Sequence, residues 1–371
     1  MANLSSDTLD LIDNSFNEVY VREQLPGITA VISHRQETIW ARSYGFADLN
    51  SKKVADLDTI YHLGSVTKIF TAMMLMKLRD VGKLQLNDPL SKYLPEINKV
   101  THLPITLKQL ASHRSGLPLM PPVKELSQAM QEFPPSIETL KNMKFPPTEA
   151  ILDSLSQVQL LFSPGTQISY SNLGIALLAH AMERITGQAY EEYLAEQILY
   201  PLGMKHSGFS PTVRDESERA VCYLPFSAPP QAAPFESKMI AGFTPTGALW
   251  ASTNDMKGFL NFLTNPHKIN SSFPLSQNSL REMYQMIAPL SLSRYTESSA
   301  VGGIGIGWFL SQVHSHLLAE HGGADPSTSA YLAWIPKLNL AAFMATNTGK
   351  NPTAIADNTV SLLKIIIQTL C

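Results

Sequence analysis

A run of mostly apolar residues extends from Ile69 to Val81 in the first quarter of the chain. The apolar positions lie nearly all the way round a helical projection, which is typical of a buried helix rather than a surface one. Gly82 follows directly, where a helix commonly ends. Ser65 comes just before the run. The pattern therefore predicts a buried helix with Ser65 at its start, where unpaired backbone N–H groups stabilise negative charge.

Strand and helix patterns are distributed unevenly along the rest of the chain. Runs of β-branched and aromatic residues predict strands at both ends, at 27–33, 38–46, 308–313, 317–320, 329–335 and 340–346. Helical patterns flank them at 5–20 and 352–370, and others fill the middle at 106–112, 123–132, 149–161, 173–185, 190–199, 254–263 and 279–286. These patterns predict an α/β (α+β) fold: an antiparallel sheet built from N- and C-terminal segments, flanked by helices, with an inserted, mostly helical lobe.

The same patterns predict how the chain is divided. We expect one domain over residues 1–371, with a sheet lobe at 1–84 and 300–371 and a helical lobe at 85–299. A cleft between two such lobes is a natural place for a site. Proline-rich stretches at 118–147 and 211–238 are either walls of that cleft or surface decoration.

Composition excludes several classes of function. The formal net charge is −3, which gives no reason to expect nucleic acid as a partner. The two cysteines have no metal-ligand spacing. The N-terminal 18 residues lack the basic start and apolar stretch of a signal peptide, and no apolar run reaches membrane-spanning length. We therefore expect a soluble, cytoplasmic protein, unless a leader has been removed.

The first candidate chemistry is the pair Ser65 and Lys68. Three residues apart on a helix, the two side chains share a face, so the lysine amine can reach the serine hydroxyl. A buried lysine can have a lowered pKa and act as the base that a serine nucleophile needs. The alternative is chance, because Ser-x-x-Lys also occurs as Ser361 to Lys364 inside the apolar C-terminal pattern.

Two further motifs supply partners for such a nucleophile. In Tyr170-Ser171-Asn172, the hydroxyl of Tyr170 and the amide of Asn172 could face the cleft. A tyrosine near a lysine cation can act as general acid or base. The alternative is an interfacial tyrosine followed by a helix cap.

The segment from His321 through Gly322 and Gly323 to Ala324 ends a predicted strand. Its glycines would let a substrate approach the strand edge. The backbone N–H of Ala324 could join that of Ser65 in an oxyanion hole. His314 and His316 lie nearby in the sequence, but we expect them to decorate one strand rather than to bind metal.

In this order and at these separations, the three segments resemble those of the serine β-lactamase and penicillin-binding-protein superfamily. They are most similar to the class C branch, which includes family VIII esterases, D-aminopeptidases and DD-peptidases. Other segments of the chain are also similar to recurring segments of that family, at 110–118, 162–166 and 200–204. The resemblance covers roughly residues 20–350. It implies the β-lactamase-like fold.

The resemblance also implies a mechanism. Ser65 would attack an ester or amide carbonyl, Lys68 and Tyr170 would handle the protons, and an acyl-enzyme would form without metal or cofactor. The third motif departs from the Lys-Thr-Gly of true β-lactamases, whose lysine helps to bind the β-lactam carboxylate. Ser327-Thr328 also stands where relatives usually carry glycine and an aromatic residue.

The resulting prediction is a serine hydrolase that acts on a small ester or amide, first of all as a carboxylesterase. A D-amino-acid peptidase or amidase and a biosynthetic acyltransferase (transesterase) are the alternatives within the fold. A non-catalytic binding homologue is the alternative of a different class. The predicted catalytic residues are Ser65, Lys68 and Tyr170, and the predicted substrate-binding residues are Asn172, His321, Gly322, Gly323 and Ala324.

Overall fold

A computed structural model describes residues 4–123, 138, 146–209, 218–225, 229–233, 241–265, 274–290 and 302–370. The helical segment predicted at 123–132 lies outside these residues, except for its first residue. Large parts of both proline-rich stretches also lie outside them.

Nine strands of the described chain form one antiparallel sheet, in the order β3-β2-β1-β11-β10-β9-β8-β7-β6. The two remaining strands, β4 and β5, pair with each other. The strands are β1 Gly27–His34, β2 Glu37–Asp48, β3 Lys53–Val54, β4 Ile60–His62, β5 Trp250–Ser252, β6 Ala288–Leu290, β7 Gly302–Ile304, β8 Phe309–Val313, β9 His316–Asp325, β10 Thr328–Ile335 and β11 Leu340–Thr346.

The sheet joins the two ends of the chain. β1 pairs with β11 from Ile28↔Thr346 to His34↔Leu340, so an N-terminal strand lies beside the last strand. This confirms the predicted α/β class and the origin of the sheet. β6 also belongs to the sheet, although it lies inside the range 85–299 that was expected to form the helical lobe. The division into lobes stays a prediction.

Helices cover both faces of the sheet and fill the middle of the chain. They are α1 Ser6–Arg22, α2 Thr67–Asp80, α3 Leu107–Ala111, α4 Thr148–Ser154, α5 Asn172–Thr186, α6 Tyr190–Leu194, α7 Thr244–Gly247, α8 Thr253–Leu263, α9 Gln277–Met283 and α10 Pro352–Leu370. The helix predicted at 149–161 is shorter than expected, because α4 changes into a 3₁₀ turn that ends at Gln157. The helix predicted at 190–199 changes at Ala195 into a π-helical turn.

Alternating residues of the central strands point into two separate cores. In β10, Leu332 and Trp334 pack on the side of α2, whereas Ala333 and Ile335 pack on the side of α1 and α10. Period-two alternation produces this division. The buried helix α2, and with it Ser65, therefore lies against one face of the sheet, and the two terminal helices cover the other.

Candidate active site

Ser65 lies in a tight turn that leads into the buried helix. Residues Gly64–Val66 form a 3₁₀ turn, and α2 begins at Thr67, two residues later than the simplest expectation. Gly64 has φ +50°, and a Cβ there would lie 3.0 Å from the backbone nitrogen of Ala324. The glycine therefore allows both the left-handed backbone and the close approach of β9.

Lys68 is positioned as the sequence predicted. Its Nζ lies 2.9 Å from Oγ of Ser65 and 2.6 Å from the carbonyl oxygen of Thr246. The side chain is only 1% exposed. This burial lowers the pKa of Lys68 well below its ordinary value, because the charged form loses its hydration. A neutral amine can then accept the serine proton while it donates to Thr246.

Tyr170 stands over the lysine at the start of α5. Nζ of Lys68 lies 4.8 Å from the centre of the Tyr170 ring. The hydroxyl of Ser171 caps α5 by accepting a hydrogen bond from the N–H of Gly174 at 2.8 Å. This cap fixes the entry of the chain into the helix and so fixes the position of Tyr170.

His113 supports Tyr170 from behind. The two rings lie 4.3 Å apart, and Nδ1 of His113 accepts a hydrogen bond from the N–H of Ser171 at 3.2 Å. Burial, together with the nearby Lys68 and His321, lowers the pKa of His113 well below its usual value. The imidazole is therefore neutral and carries its proton on Nε2.

His321 faces the same space from β9. Its ring centre lies 6.3 Å from that of Tyr170 and 5.3 Å from that of Phe309. Burial, with a smaller effect of Lys68, lowers the pKa of His321 to about 3. Nδ1 lies 2.7 Å from the carbonyl oxygen of Gly322, so the neutral ring donates there. Nε2 then carries a lone pair, and it has no hydrogen-bond partner among the described residues.

The glycines after His321 bring β9 against the serine turn. A Cβ at Gly323 would lie 2.0 Å from the carbonyl oxygen of Leu63 and 3.0 Å from the nitrogen of Ser65. β10 pairs with β9 up to Asp325, whereas β8 pairs with it only up to Glu320. From His321 onward, one edge of β9 is thus open within the described chain, as a substrate strand or an oxyanion requires.

A close contact between His62 and Asp325 joins the segment before Ser65 to the end of β9. Nδ1 of His62, at the end of β4, lies 2.9 Å from Oδ2 of Asp325, at the end of β9. Burial disfavours the Asp325 carboxylate, but hydrogen bonds from His62 and Ser327 outweigh it and lower the pKa of Asp325. Thr328 donates to the carbonyl oxygen of His62 at 2.9 Å. The unusual Ser327-Thr328 pair therefore ties the β9–β10 turn to the strand before Ser65.

A cavity of about 420 Å³ opens at these groups. Among the predicted residues, its lining includes Ser65, Tyr170, His321, Gly322, Gly323 and Ala324. Lys68 lies behind Ser65. Asn172 does not line the cavity, because its Nδ2 contacts Sδ of Met120 at 3.5 Å and its backbone N–H donates to Leu119.

Some residues of the site carried no usable sequence signal. His113 belongs to a segment that resembles the family, yet nothing in its neighbours indicates that it contacts Tyr170. Thr246 contributes a backbone carbonyl, which no side-chain pattern reveals. Phe309 lies in a strand pattern in which aromatic residues are common, so its contact with His321 could not be read from the sequence. His314 lies in the turn before β9, so the expectation that both histidines decorate one strand was wrong for His314. His316 begins the strand and lies about 16 Å along it from His321.

With the geometry established, comparison with known proteins gives the family. Residues 12–364 match the Beta-lactamase family, so the chain belongs to that family. Its members share the fold and are generally serine hydrolases.

Three individual proteins that match this chain share less than a third of its residues. The chain is 28% identical over 345 residues to the D-alanyl-D-alanine-carboxypeptidase/endopeptidase AmpH of Escherichia coli strain K12, covering 90% of this chain and 83% of that protein. It is 27% identical over 348 residues to Protein flp of Staphylococcus aureus strain MW2, covering 93% and 64% respectively. The octameric penicillin-binding protein homologue from Pyrococcus abyssi has the same fold, with a TM-score of 0.82, 23% identity and coverage of 97% and 77%.

Among the described residues, no helix is long and apolar enough to cross a bilayer. The cytoplasmic location stays a prediction.

Proposed function

We propose that this protein is a serine hydrolase that cleaves a small ester or amide through an acyl-Ser65 intermediate, first of all as a carboxylesterase. The observation that carries the proposal is the 2.9 Å contact between Nζ of a fully buried Lys68 and Oγ of Ser65. A buried lysine beside a serine at a cavity wall has the geometry of a nucleophile with its base.

The proposed reaction proceeds in two halves. The neutral amine of Lys68 takes the Ser65 proton as Oγ bonds to the carbonyl carbon, and the N–H groups of Ser65 and Ala324 stabilise the oxyanion. As the tetrahedral intermediate collapses, the bond to the leaving group breaks, and the proton passes to that group through Tyr170. Water, whose proton is taken by the same groups, then attacks the acyl carbon. The bond from that carbon to Oγ breaks, Oγ regains the proton, and the acid is released.

The cavity favours an ester over a β-lactam. His321 stands where a true β-lactamase would have a lysine, and its neutral ring offers no positive charge to a carboxylate. The described residues that line the cavity include neither lysine nor arginine. A substrate that depends on a buried carboxylate would therefore lack its counter-charge here.

A D-amino-acid peptidase or amidase remains the second candidate, because the relative AmpH is named as a D-alanyl-D-alanine carboxypeptidase and endopeptidase. A biosynthetic acyltransferase would use the same acyl-enzyme with another acceptor. The joint presence of Ser65, Lys68 and Tyr170 argues against a non-catalytic binding homologue.

Intact-protein mass spectrometry tests the nucleophile directly. The protein would be mixed in turn with a short-chain p-nitrophenyl ester, a fluorophosphonate and a penicillin. We expect a covalent adduct with the first two that disappears in Ser65→Ala, together with ester turnover. The rank of labelling rates would separate an esterase from a penicillin-recognising enzyme.

The chain provides its own matched control. Ser361 begins the second Ser-x-x-Lys sequence, inside α10. Ser361→Ala should keep both labelling and turnover. If Ser65→Ala retained turnover near the wild-type rate, or if no reagent labelled the wild-type protein, the proposed function would be wrong.

A further inference from the structure

The cavity beside Ser65 does not stop at the sheet. His321 points toward Ser65, and the neighbouring Glu320 points to the opposite face, where its carboxylate accepts a hydrogen bond from Tyr331 at 2.7 Å. Both residues line the same cavity, together with Ala356 and Asp357 of α10. The cavity therefore passes around the open edge of β9, and Gly322 and Gly323 line it there.

The far part of this cavity carries two carboxylates. Glu320 is held rigidly, because Ser311 donates to Oε1 at 2.6 Å and Tyr331 donates to Oε2. Asp357 is exposed on the α10 wall. Burial, then Glu320 and finally Asp357, raise the pKa of Tyr331 well above its ordinary value. Burial also raises the pKa of Glu320, against the hydrogen bonds from Ser311 and Tyr331, which lower it. Neither carboxylate forms an ion pair with a basic side chain in the described part of the chain.

His321, which lines the same cavity, has a hydrogen-bond acceptor without a partner among the described residues. His321 is only 3% exposed, and its Nε2 carries an unused lone pair because Nδ1 donates to Gly322. The hydroxyls of Ser311 and Tyr331 are already committed to Glu320. A ligand that extends through the cavity therefore meets a hydrogen-bond acceptor at the Ser65 end and the two carboxyl groups at the far end.

We propose that the substrate of this site carries an ammonium group, which binds between Glu320 and Asp357 while the scissile carbonyl lies at Ser65. This inference rests on the proposed hydrolase function and names its substrate class. Gly323 contacts the Ser65 turn, and Glu320 precedes it by three residues. The ammonium group therefore lies on the order of 10 Å from the serine, at about 3.3 Å per strand residue.

The partial positive charge at the start of α10 does not neutralise these two carboxylates in place of a bound ammonium group. It is concentrated on the free N–H groups of the first turn and falls off within it. Asp357 stands beyond that turn, five residues after Pro352. A carboxylate-bearing substrate would meet Glu320 and Asp357 as like charges.

Matched esters test the charge preference. The p-nitrophenyl esters of 6-aminohexanoic acid, heptanoic acid and adipic acid (one carboxyl free) have nearly the same length and carry an ammonium, a methyl and a carboxylate end. A second series, the acetate esters of 6-aminohexanol and heptanol, places the ammonium on the alcohol side. In one of the two series we expect kcat/KM for the ammonium ester to exceed that of the alkyl ester about tenfold, with the carboxylate lowest.

Variants assign the preference to the two carboxylates. In Glu320→Gln the ratio of kcat/KM between ammonium and alkyl esters should fall to about one, and in Asp357→Asn it should fall part of the way. In Glu320→Gln the amide oxygen can accept from one of the two hydroxyls while the NH2 group donates to the other, and Asp357 is on the surface, so both variants should fold. Glu37→Gln, at an exposed site of β2 away from the cavity, should keep the wild-type ratio.

The outcomes separate this inference from the proposed function. Turnover of the heptanoate with equal or lower rates for both ammonium esters would support the hydrolase and overturn the ammonium site. If no ester turned over, calorimetric titration of Ser65→Ala with hexylammonium and with hexanol would decide the site alone. Tighter binding of hexylammonium, lost in the double variant Ser65→Ala/Glu320→Gln, would support it, and equal binding would overturn it.

Discussion

Lys68 is almost completely buried, so its amine is removed from water. Its amine contacts the hydroxyl of Ser65, the carbonyl of Thr246 and the ring of Tyr170, none of which carries a negative charge. Burial therefore acts on the amine without a compensating anion, and the pKa falls. The environment that disfavours the ammonium ion thus favours the neutral amine, which is the form that the proposed base requires.

This environment determines the pH dependence of the rate. Only neutral Lys68 can take the Ser65 proton, so kcat/KM on a neutral ester should rise with pH through the pKa of Lys68 and level off well below the ordinary lysine value of about 10.4. Lys68→Arg, which stays charged, should lower kcat/KM at neutral pH by about 10²-fold or more. A rate that still rose steeply near pH 10 would show that Lys68 is not the base.

Stability should follow the same titration. The unfolded chain binds a proton at Lys68 over the pH range between the lowered folded pKa and the ordinary value, and the folded chain does not. The free energy of unfolding contributed by Lys68 should therefore increase as pH rises through that range. Denaturant unfolding would show this as an unfolding free energy of the wild type that increases with pH relative to that of Lys68→Met. A pH-independent difference would contradict the lowered pKa.

At this scale the sequence predicted the contact between Ser65 and Lys68 better than it predicted the residues that support the site. Ser65 and Lys68 meet because three residues of helix place them together, which is local geometry. Asn172 misses the cavity because the cap of α5 is Ser171, one residue earlier. The support of Tyr170 by His113 joins residues far apart in the chain, and such a contact depends on the folded packing rather than on a local pattern.

At the scale of elements, the extent of β9 differs from the prediction. The strand was expected to end at Glu320, because two glycines follow and glycine disfavours strand interiors. β9 continues to Asp325, since pairing with β10 holds it from one side and contact with the turn before Ser65 holds it from another. Tertiary contacts thus outweigh the low strand preference of glycine at Gly322 and Gly323, the positions that lie beside the serine turn and the cavity.

The two glycines should respond differently to the same substitution. Gly323→Ala places a Cβ 2.0 Å from the carbonyl oxygen of Leu63, which is backbone and cannot move aside cheaply. We expect a loss of about 1–3 kcal/mol of unfolding free energy, together with a large fall in kcat, because Ser65 moves away from Ala324. Thermal unfolding and ester turnover of the purified variant would measure both.

Gly322→Ala is the matched comparison for the strand. Its Cβ would lie 3.4 Å from the ring of Tyr331, an ordinary contact. The unfolding free energy should therefore change by less than about 0.5 kcal/mol. Equal destabilisation by the two substitutions would mean that β9 does not press against the serine turn.

At the scale of the whole molecule, the sheet stands between Ser65 and the core that the terminal helices cover, although α10 also lines the far part of the cavity. The predicted sheet of N- and C-terminal strands is present, but its order could not be derived, because the pairing of β1 with β11 joins residues more than three hundred positions apart. The strands β3 to β7 were not predicted either. Each has only two or three residues, too few to show an alternating pattern.

The separation of the two cores allows stability and activity to be tested independently. Phe16 of α1 is fully buried in the core opposite Ser65, with its ring centre 5.1 Å from that of Trp40 and 5.0 Å from that of Tyr44. Phe16→Ala should lower the unfolding free energy by about 3–5 kcal/mol. At temperatures where the variant stays folded, kcat should match the wild type, because the sheet stands between Phe16 and Ser65.

Leu11 on the same helix provides the control, since it is 57% exposed and its loss creates no cavity. Leu11→Ala should change the unfolding free energy by less than about 0.5 kcal/mol. Circular dichroism melts and ester turnover on the same samples would measure both quantities. A fall of kcat in folded Phe16→Ala would show that packing behind the sheet sets the position of β9. In that case the terminal helices would contribute to the geometry of the site as well as to the stability of the fold.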